Sequence, residues 1–297
     1  MKLSKDQFEQ AKTFLYANAR LLDRKRFEYH FEAGSAGSVI EVLRAYQNED
    51  GGFGNALEPD IRCPQSQPVP TEMALHVMDE VGLYDESIVR GIMRYFERSA
   101  LPSGGLPLVG PDLHRYPYPP WWKDVPSDVA SVNPTGTIVA LLLKQQAVPL
   151  KVGGGPAWLS NAARFLWDNL EQINRSFYHD LIHVIAFLRE LPDDPRTAAA
   201  LESLDRSLAA PGVIERDPHA GGYVHKVLDW VTEPDNYCAK FVDTETLSLH
   251  LDAMVAEQQP DGGWPLSFEP LSPAATMEWR GWQTVHRLTT LRAHGRL

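Results

Sequence analysis

The chain has 297 residues and a formal net charge of −11, with 43% hydrophobic and 23% charged side chains. That is enough apolar material for a substantial core in an ordinary globular protein, and the acidic balance, with no basic stripe to offset it, excludes a nucleic-acid partner. No apolar run approaches the roughly 18 to 20 residues of a membrane span, Met1-Lys2-Leu3-Ser4-Lys5-Asp6 lacks a signal-peptide core, and Cys63 and Cys238 lack metal-type spacing. A cytoplasmic protein with reduced thiols is the expectation.

Apolar residues at three- and four-residue spacing predict helices over 8–22, 39–46, 71–81, 88–96, 137–144, 158–170, 181–191, 197–208, 246–256 and 274–291. Strand signals are few, because no stretch sustains an alternation of β-branched and polar residues. Arg24-Lys25-Arg26, the one basic cluster, reads as a solvated helix end. About ten to twelve helices joined by glycine- and proline-rich turns make roughly five or six hairpins. The longest non-helical stretch, 101–132, holds Tyr116, Tyr118, Trp121 and Trp122 among prolines; a loop of this length inside a compact domain is functional or disordered, and its aromatics argue for order. No low-complexity linker divides the chain, so one domain over 1–297 is expected.

A repeat runs through these elements. Gln47-Asn48-Glu49-Asp50-Gly51-Gly52-Phe53-Gly54 returns as Gln258-Gln259-Pro260-Asp261-Gly262-Gly263-Trp264-Pro265. Weaker echoes stand at Gly104-Gly105-Leu106, Gly154-Gly155-Pro156 and Gly221-Gly222-Tyr223, at intervals of roughly 40 to 65 residues, the length of a helix pair with its connections. One glycine supplies a left-handed helix cap and the next lets the backbone turn sharply. The Gln and Asp side chains can bond free backbone groups, and the ring packs over the turn.

The pattern Gln-x-x-Asp-Gly-Gly-Phe/Trp, with Thr71-Glu72-Met73-Ala74-Leu75 opening a helix after the first copy, resembles the repeat of the terpenoid cyclase and protein prenyltransferase superfamily. That group includes squalene–hopene-type cyclases and prenyltransferase beta subunits. The resemblance implies an all-α fold, an (α/α)6-type toroid of helical hairpins, in a divergent single-domain member. It speaks to fold more than to reaction. The aspartate motif of class II terpene cyclases, Asp-x-Asp-Asp-Thr, is missing: aligned on Thr246, the acid position is Thr244. The Asp-x-Cys zinc pair of the prenyltransferases is missing too, since Asn236 precedes Cys238 by two. Asp193-Asp194 runs into Pro195-Arg196 and reads as a turn. No metal and no cofactor are therefore expected.

In such a toroid the inner-helix starts point to one end, where polar groups from separate hairpins converge on a cavity. The candidates are Glu72, Asn133, His179 and Asp180 (with His183 nearby), and the pair Asp243 and Glu245. Asp243 and Glu245 are the acid candidates: they share a first turn, and like charge raises a carboxyl pKa. His179 and Asp180 are further catalytic candidates. Helix capping is the alternative for Asn133, Asp180 and Asp243. Glu58 and Asp60, stiffened by neighbouring prolines, and Tyr118, Trp121 and Trp122 are candidates for binding substrate. Flat rings suit an isoprenoid chain or carbocation, and equally the apolar face of a sugar. Three readings stand: an isoprenoid-handling enzyme, with acid-initiated cyclisation by a non-standard acid; a carbohydrate-active hydrolase, lyase or epimerase with paired carboxylates; and a non-catalytic barrel binding a lipid or partner. The expected partner is a small molecule.

Overall fold

The computed structural model describes residues 1–145 and 157–297. The regular structure of those residues is almost all helix, as expected: α1 (Lys5–Asn18), α2 (Leu21–Phe31), α3 (Ala36–Arg44), α4 (Pro68–Glu80), α5 (Glu86–Ser99), α6 (Val132–Lys144), α7 (Ala157–Asn169), α8 (Tyr178–Arg189), α9 (Thr197–Leu208), α10 (Val227–Trp230), α11 (Thr244–Ala256) and α12 (Pro273–Ala293). The only paired strands among them are β1 (Leu106–Pro107) and β2 (Ala130–Ser131), which run antiparallel. The starts follow from local chemistry. Ser4 and Gln7 close a capping box on α1, the Asp85 carboxylate accepts from the amides of Ser87 and Ile88 at α5, and Ser272 caps α12 ahead of Pro273. Two compact units form, one from 1–35 and 205–297, the other from 36–204. Gly154-Gly155-Pro156 lies outside the described residues.

In the first unit, α1 and α12 bury Phe14, Leu15, Val285, Leu288 and Leu291 with Leu251, Met254 and Trp264. The helix expected over 8–22 is two helices here, because Ala19 is extended (ψ 156°) and ends α1. The basic cluster that follows is no solvated end. Arg26 is 2% exposed, its guanidinium bonds Asp23 Oδ1 at 3.1 Å, and it stacks 3.7 Å above the Trp282 ring. Arg20 holds the other Asp23 oxygen at 2.9 Å. Buried charge of this kind is stable only when paired, and pairing is what the hydrophobic pattern could not show.

The glycine device repeats almost atom for atom. The Gln47 amide donates to Gly51 O (2.9 Å) and to Ile88 O of α5 (3.2 Å), and Gln258 donates to Gly262 O (2.9 Å) and to Gln7 O of α1 (2.8 Å). The Asp50 and Asp261 carboxylates accept from Gly52 and Gly263 amides. Gly51 (φ +95°) and Gly262 (φ +92°) lie so close to a neighbouring helix that a Cβ would meet Gly91 O or Gln10 O at 2.1 Å. The amide after the glycines donates to a threonine one helix further on: Phe53 to Thr71 Oγ1 (2.9 Å) in α4, Trp264 to Thr284 Oγ1 (3.3 Å) in α12.

Leu101–Leu106 is a third copy in geometry. Gly104 has φ +99° and sits against Asn161 O of α7 at 2.4 Å from a Cβ, and Leu106 donates to Thr135 Oγ1 (2.9 Å) in α6. Ala100 and Ser103 stand where the other copies have Gln and Asp. Gly221 and Gly222 do not form the device, for a Cβ at either would meet nothing within 4 Å and no neighbouring helix presses on the turn.

Candidate functional site

The second unit builds its site from three helices. Pro68 and Pro70 start α4 and place Thr71 and Glu72 in its first turns. Helix α6 packs on α4 and on α8. The approach of α6 to α8 depends on Gly136, where a Cβ would come 2.4 Å from His183 O. His183 of α8 therefore reaches Glu72 of α4: Nε2 lies 3.0 Å from Glu72 Oε1, and both residues are buried. Nδ1 of the same ring bonds His179 O, one turn back. A buried ring engaged at both nitrogens has a fixed orientation.

The two groups hold each other charged. Burial alone would push the Glu72 carboxyl up, but the charge of His183 and hydrogen bonds from His183 and His76 outweigh it, and the carboxyl sits well below its ordinary range. Burial would likewise depress His183, yet the Glu72 carboxylate raises it, helped by the His179 carbonyl and the Asp180 charge. His76, one turn after Glu72, brings Nε2 to 3.6 Å from the same Oε1. Chemically this is a desolvated carboxylate–imidazolium pair able to hold and exchange one proton.

Of the other residues expected at a site, Asp180 accepts from the Asn174 amide at 2.9 Å and orders the turn into α8. His179 contributes its carbonyl to His183 and packs its ring against Phe177 and Tyr178. Asn133 is half-buried at the non-helical start of α6 (ψ 117°). Glu58 and Asp60 are both buried, and Glu58 Oε2 accepts from the Ile61 amide at 2.5 Å. The aromatic loop is ordered against that segment: Trp122 packs with Ile61, Cys63, Val109 and Leu113, and Tyr118 borders this cluster. Gln67, 1% exposed, ties the two loops together by accepting from the Gly110 amide at 2.7 Å. Trp121, by contrast, is 49% exposed.

Asp243 and Glu245 lie in the first unit, at the start of α11. Both are exposed. Asp243 caps the helix: the Thr246 amide and hydroxyl each donate to it at 2.8 Å, and these bonds, the amide's foremost, hold its carboxyl below the ordinary range. The desolvation that an acid there would need is not supplied at this position. A shallow depression in the same unit is lined by Lys226, Asp229, His250, Glu257 and Arg287 among others, charges that balance. Among the described residues no three His, Cys, Asp or Glu side chains gather closely enough to hold a metal ion, and no helix is long and apolar enough to cross a membrane.

Two residues of the site carry little local signal in the sequence: His183 stands beside the expected candidates, and His76 lies outside them. The signal that finds both is spacing: His76 follows Glu72 by four, and His183 follows His179 by four, so each lies one helical turn from a polar partner.

No family model matches the chain, and no curated protein matches it. Among solved structures it is similar to the type II terpene cyclase MstE from Scytonema in its apo form, with a TM-score of 0.53 and 13% identity over 98% of this chain and 99% of that one. A variant of MstE in complex with geranylgeranyl dihydroxybenzoate, its substrate, aligns with a TM-score of 0.50 and 13% identity, covering 98% and 97%. At this identity the likeness establishes the fold, which is that of a type II terpene cyclase.

Proposed function

We propose that the protein is an isoprenoid-handling enzyme that starts its reaction by protonation, with Glu72 as proton donor and His183 as the partner that tunes it. The observation that carries this reading is the buried Glu72–His183 pair, 3.0 Å apart, inside a fold shared with type II terpene cyclases. Protonating a carbon–carbon double bond takes a strong acid shielded from water. A carboxyl held below its ordinary range by an imidazolium is such an acid in its protonated form, although loading it costs about 1.4 kcal/mol for each pH unit above its pKa. Asn133 and the rings of Tyr118 and Trp121 receive the isoprenoid chain, and Trp122, buried in the loop core, supports them. Asp243 and Glu245 serve α11.

The test is turnover on a panel of aryl-prenyl compounds that includes geranylgeranyl dihydroxybenzoate. We expect Glu72→Gln to lose at least a hundredfold in kcat, the scale of a general acid, and Asp243→Asn and Glu245→Gln to keep wild-type rates and pH dependence. Full activity in Glu72→Gln, or its loss in Asp243→Asn, overturns the assignment. Turnover of an oligosaccharide panel alone transfers the protein to the carbohydrate-active reading.

A further inference from the structure

A buried proton donor must be recharged after each turnover, and one titratable side chain on α4 reaches both Glu72 and solvent. Side-chain exposure falls from 49% at His76 to 9% at Glu72 and 5% at His183. The two rings and the carboxyl between them form a file: His76 Nε2 lies 3.6 Å from Glu72 Oε1, and His183 Nε2 closes the inner side at 3.0 Å. The surrounding charges are few. Helix α8 brings Asp180, whose carboxylate is committed to the Asn174 amide. Helix α6 carries one titratable group, Lys144 at its far end, bonded to Asp79. Helix α3 brings Glu41 and Arg44, and Arg44 is paired with Asp85.

We propose that His76 is the proton-uptake relay of this site, carrying protons from solvent to Glu72. The inference rests on Glu72 being the donor. In the step, the His76 imidazolium releases its Nε2 proton to Glu72 Oε1 and the N–H bonding pair stays on nitrogen. The neutral ring, still protonated at Nδ1, then rotates its free Nε2 from Glu72 toward solvent, takes a proton there and swings back, as its 49% side-chain exposure allows. Nothing is oxidised or reduced, and Glu72 is left as the neutral acid. When Glu72 later gives up its proton it returns to the carboxylate that His183 stabilises. Transfer at 3.6 Å needs a small side-chain adjustment, of the kind by which loose hydrogen bonds tighten in a working complex. His76 touches no reacting atom in this scheme and acts through Glu72.

Two measurements test it. Solvent exchange of the His183 Nε2 proton, followed by NMR on uniformly ¹⁵N-labelled protein, needs no substrate. We expect His76→Gln and His76→Asn each to slow that exchange at least tenfold without changing the melting temperature, and added imidazole to restore it in His76→Gly. Unchanged exchange in the folded Gln and Asn variants overturns the relay, as does an absence of imidazole rescue. With an active substrate in hand, His76→Gln is expected to lower kcat tenfold or more at unchanged KM and to shift the pH profile, again with imidazole rescue; loss in KM alone counts against the relay. Slowed exchange in a protein that turns over no isoprenoid leaves the relay standing and removes the reading of function on which its purpose rests.

Discussion

Replacing single glycines of the repeated device by alanine separates the two reasons a glycine is needed there. At Gly51 an alanine meets both: a left-handed backbone at φ +95° and a Cβ 2.1 Å from Gly91 O. At Gly212 (φ +84°) it meets only the first, since nothing lies within 4 Å, and at Gly221 it meets neither. Left-handed strain costs an alanine about 1–2 kcal/mol, and overpacking against a fixed atom about 1–3 kcal/mol more. The atom met at Gly51 is helix backbone, which cannot swing aside as a side-chain end does.

Gly51→Ala is therefore expected to destabilise by about 2–5 kcal/mol and Gly212→Ala by about 1–2. Gly221→Ala is expected to be neutral or stabilising by up to about 1 kcal/mol, because it restricts the unfolded chain. Gly262→Ala should match Gly51→Ala, since its Cβ lies 2.1 Å from Gln10 O. Urea unfolding followed by far-UV circular dichroism measures all four, and calorimetry should show about 2–4 °C lost per kcal/mol. If Gly51→Ala and Gly262→Ala cost no more than Gly212→Ala, the close approach of the turn to α5 and α1 does not organise the fold, and the device reduces to a helix cap.

The threonine that ends each device gives a second test. Thr71→Val strands the buried Phe53 amide and is expected to cost about 1–3 kcal/mol in urea, while Thr71→Ser keeps the acceptor and recovers most of it. Breaking the buried pair by His183→Leu leaves an uncompensated Glu72 and should cost about 3–5 kcal/mol near pH 6. The pH dependence of that cost has a definite sign. His183 is raised, so its contribution is complete below its unfolded pKa of 6.5 and drains as pH rises through the folded value; Glu72 is lowered, so its contribution is complete above 4.5 and drains as pH falls through the folded value. The stability difference between wild type and Glu72→Gln should therefore be greatest between about pH 4.5 and 6.5 and shrink above it; a difference that grows from pH 6.5 to 9 contradicts the charged pair.

Much of the architecture was legible in local pattern, because apolar spacing and the Asp-Gly-Gly-aromatic device are both written in contiguous residues. The failures have a common physical origin in charge buried by a distant partner. Helix α2 was hidden because Asp23 and Arg26 occupy its inner face, and only the contacts with Arg20 and Trp282 make that tolerable. The third device was recognised by its glycines alone. Its Gln and Asp are gone while the glycine approach and the Thr135 bond remain, so backbone fit and the threonine acceptor are the parts the turn requires.

The same logic governs the candidate site. Asp243-Thr244-Glu245-Thr246 stood out because two acids lie close together in sequence, yet proximity along a helix start is what makes a cap, and a cap keeps a carboxylate ionised in water. Glu72 and His183 stand 111 residues apart, and no local pattern links them. What links them is Gly136, the point at which α6 lets α8 approach. A Gly136→Ala variant should therefore act on the site through packing, shifting His183 away from Glu72. The NMR titration of His183 would report this as a fall in its pKa toward and below the ordinary imidazole value, since burial persists while the Glu72 charge recedes. A His183 titration in Gly136→Ala identical to wild type would show that the pair is held by α4 and α8 alone, and that the glycine is a packing detail with no bearing on the proton chemistry.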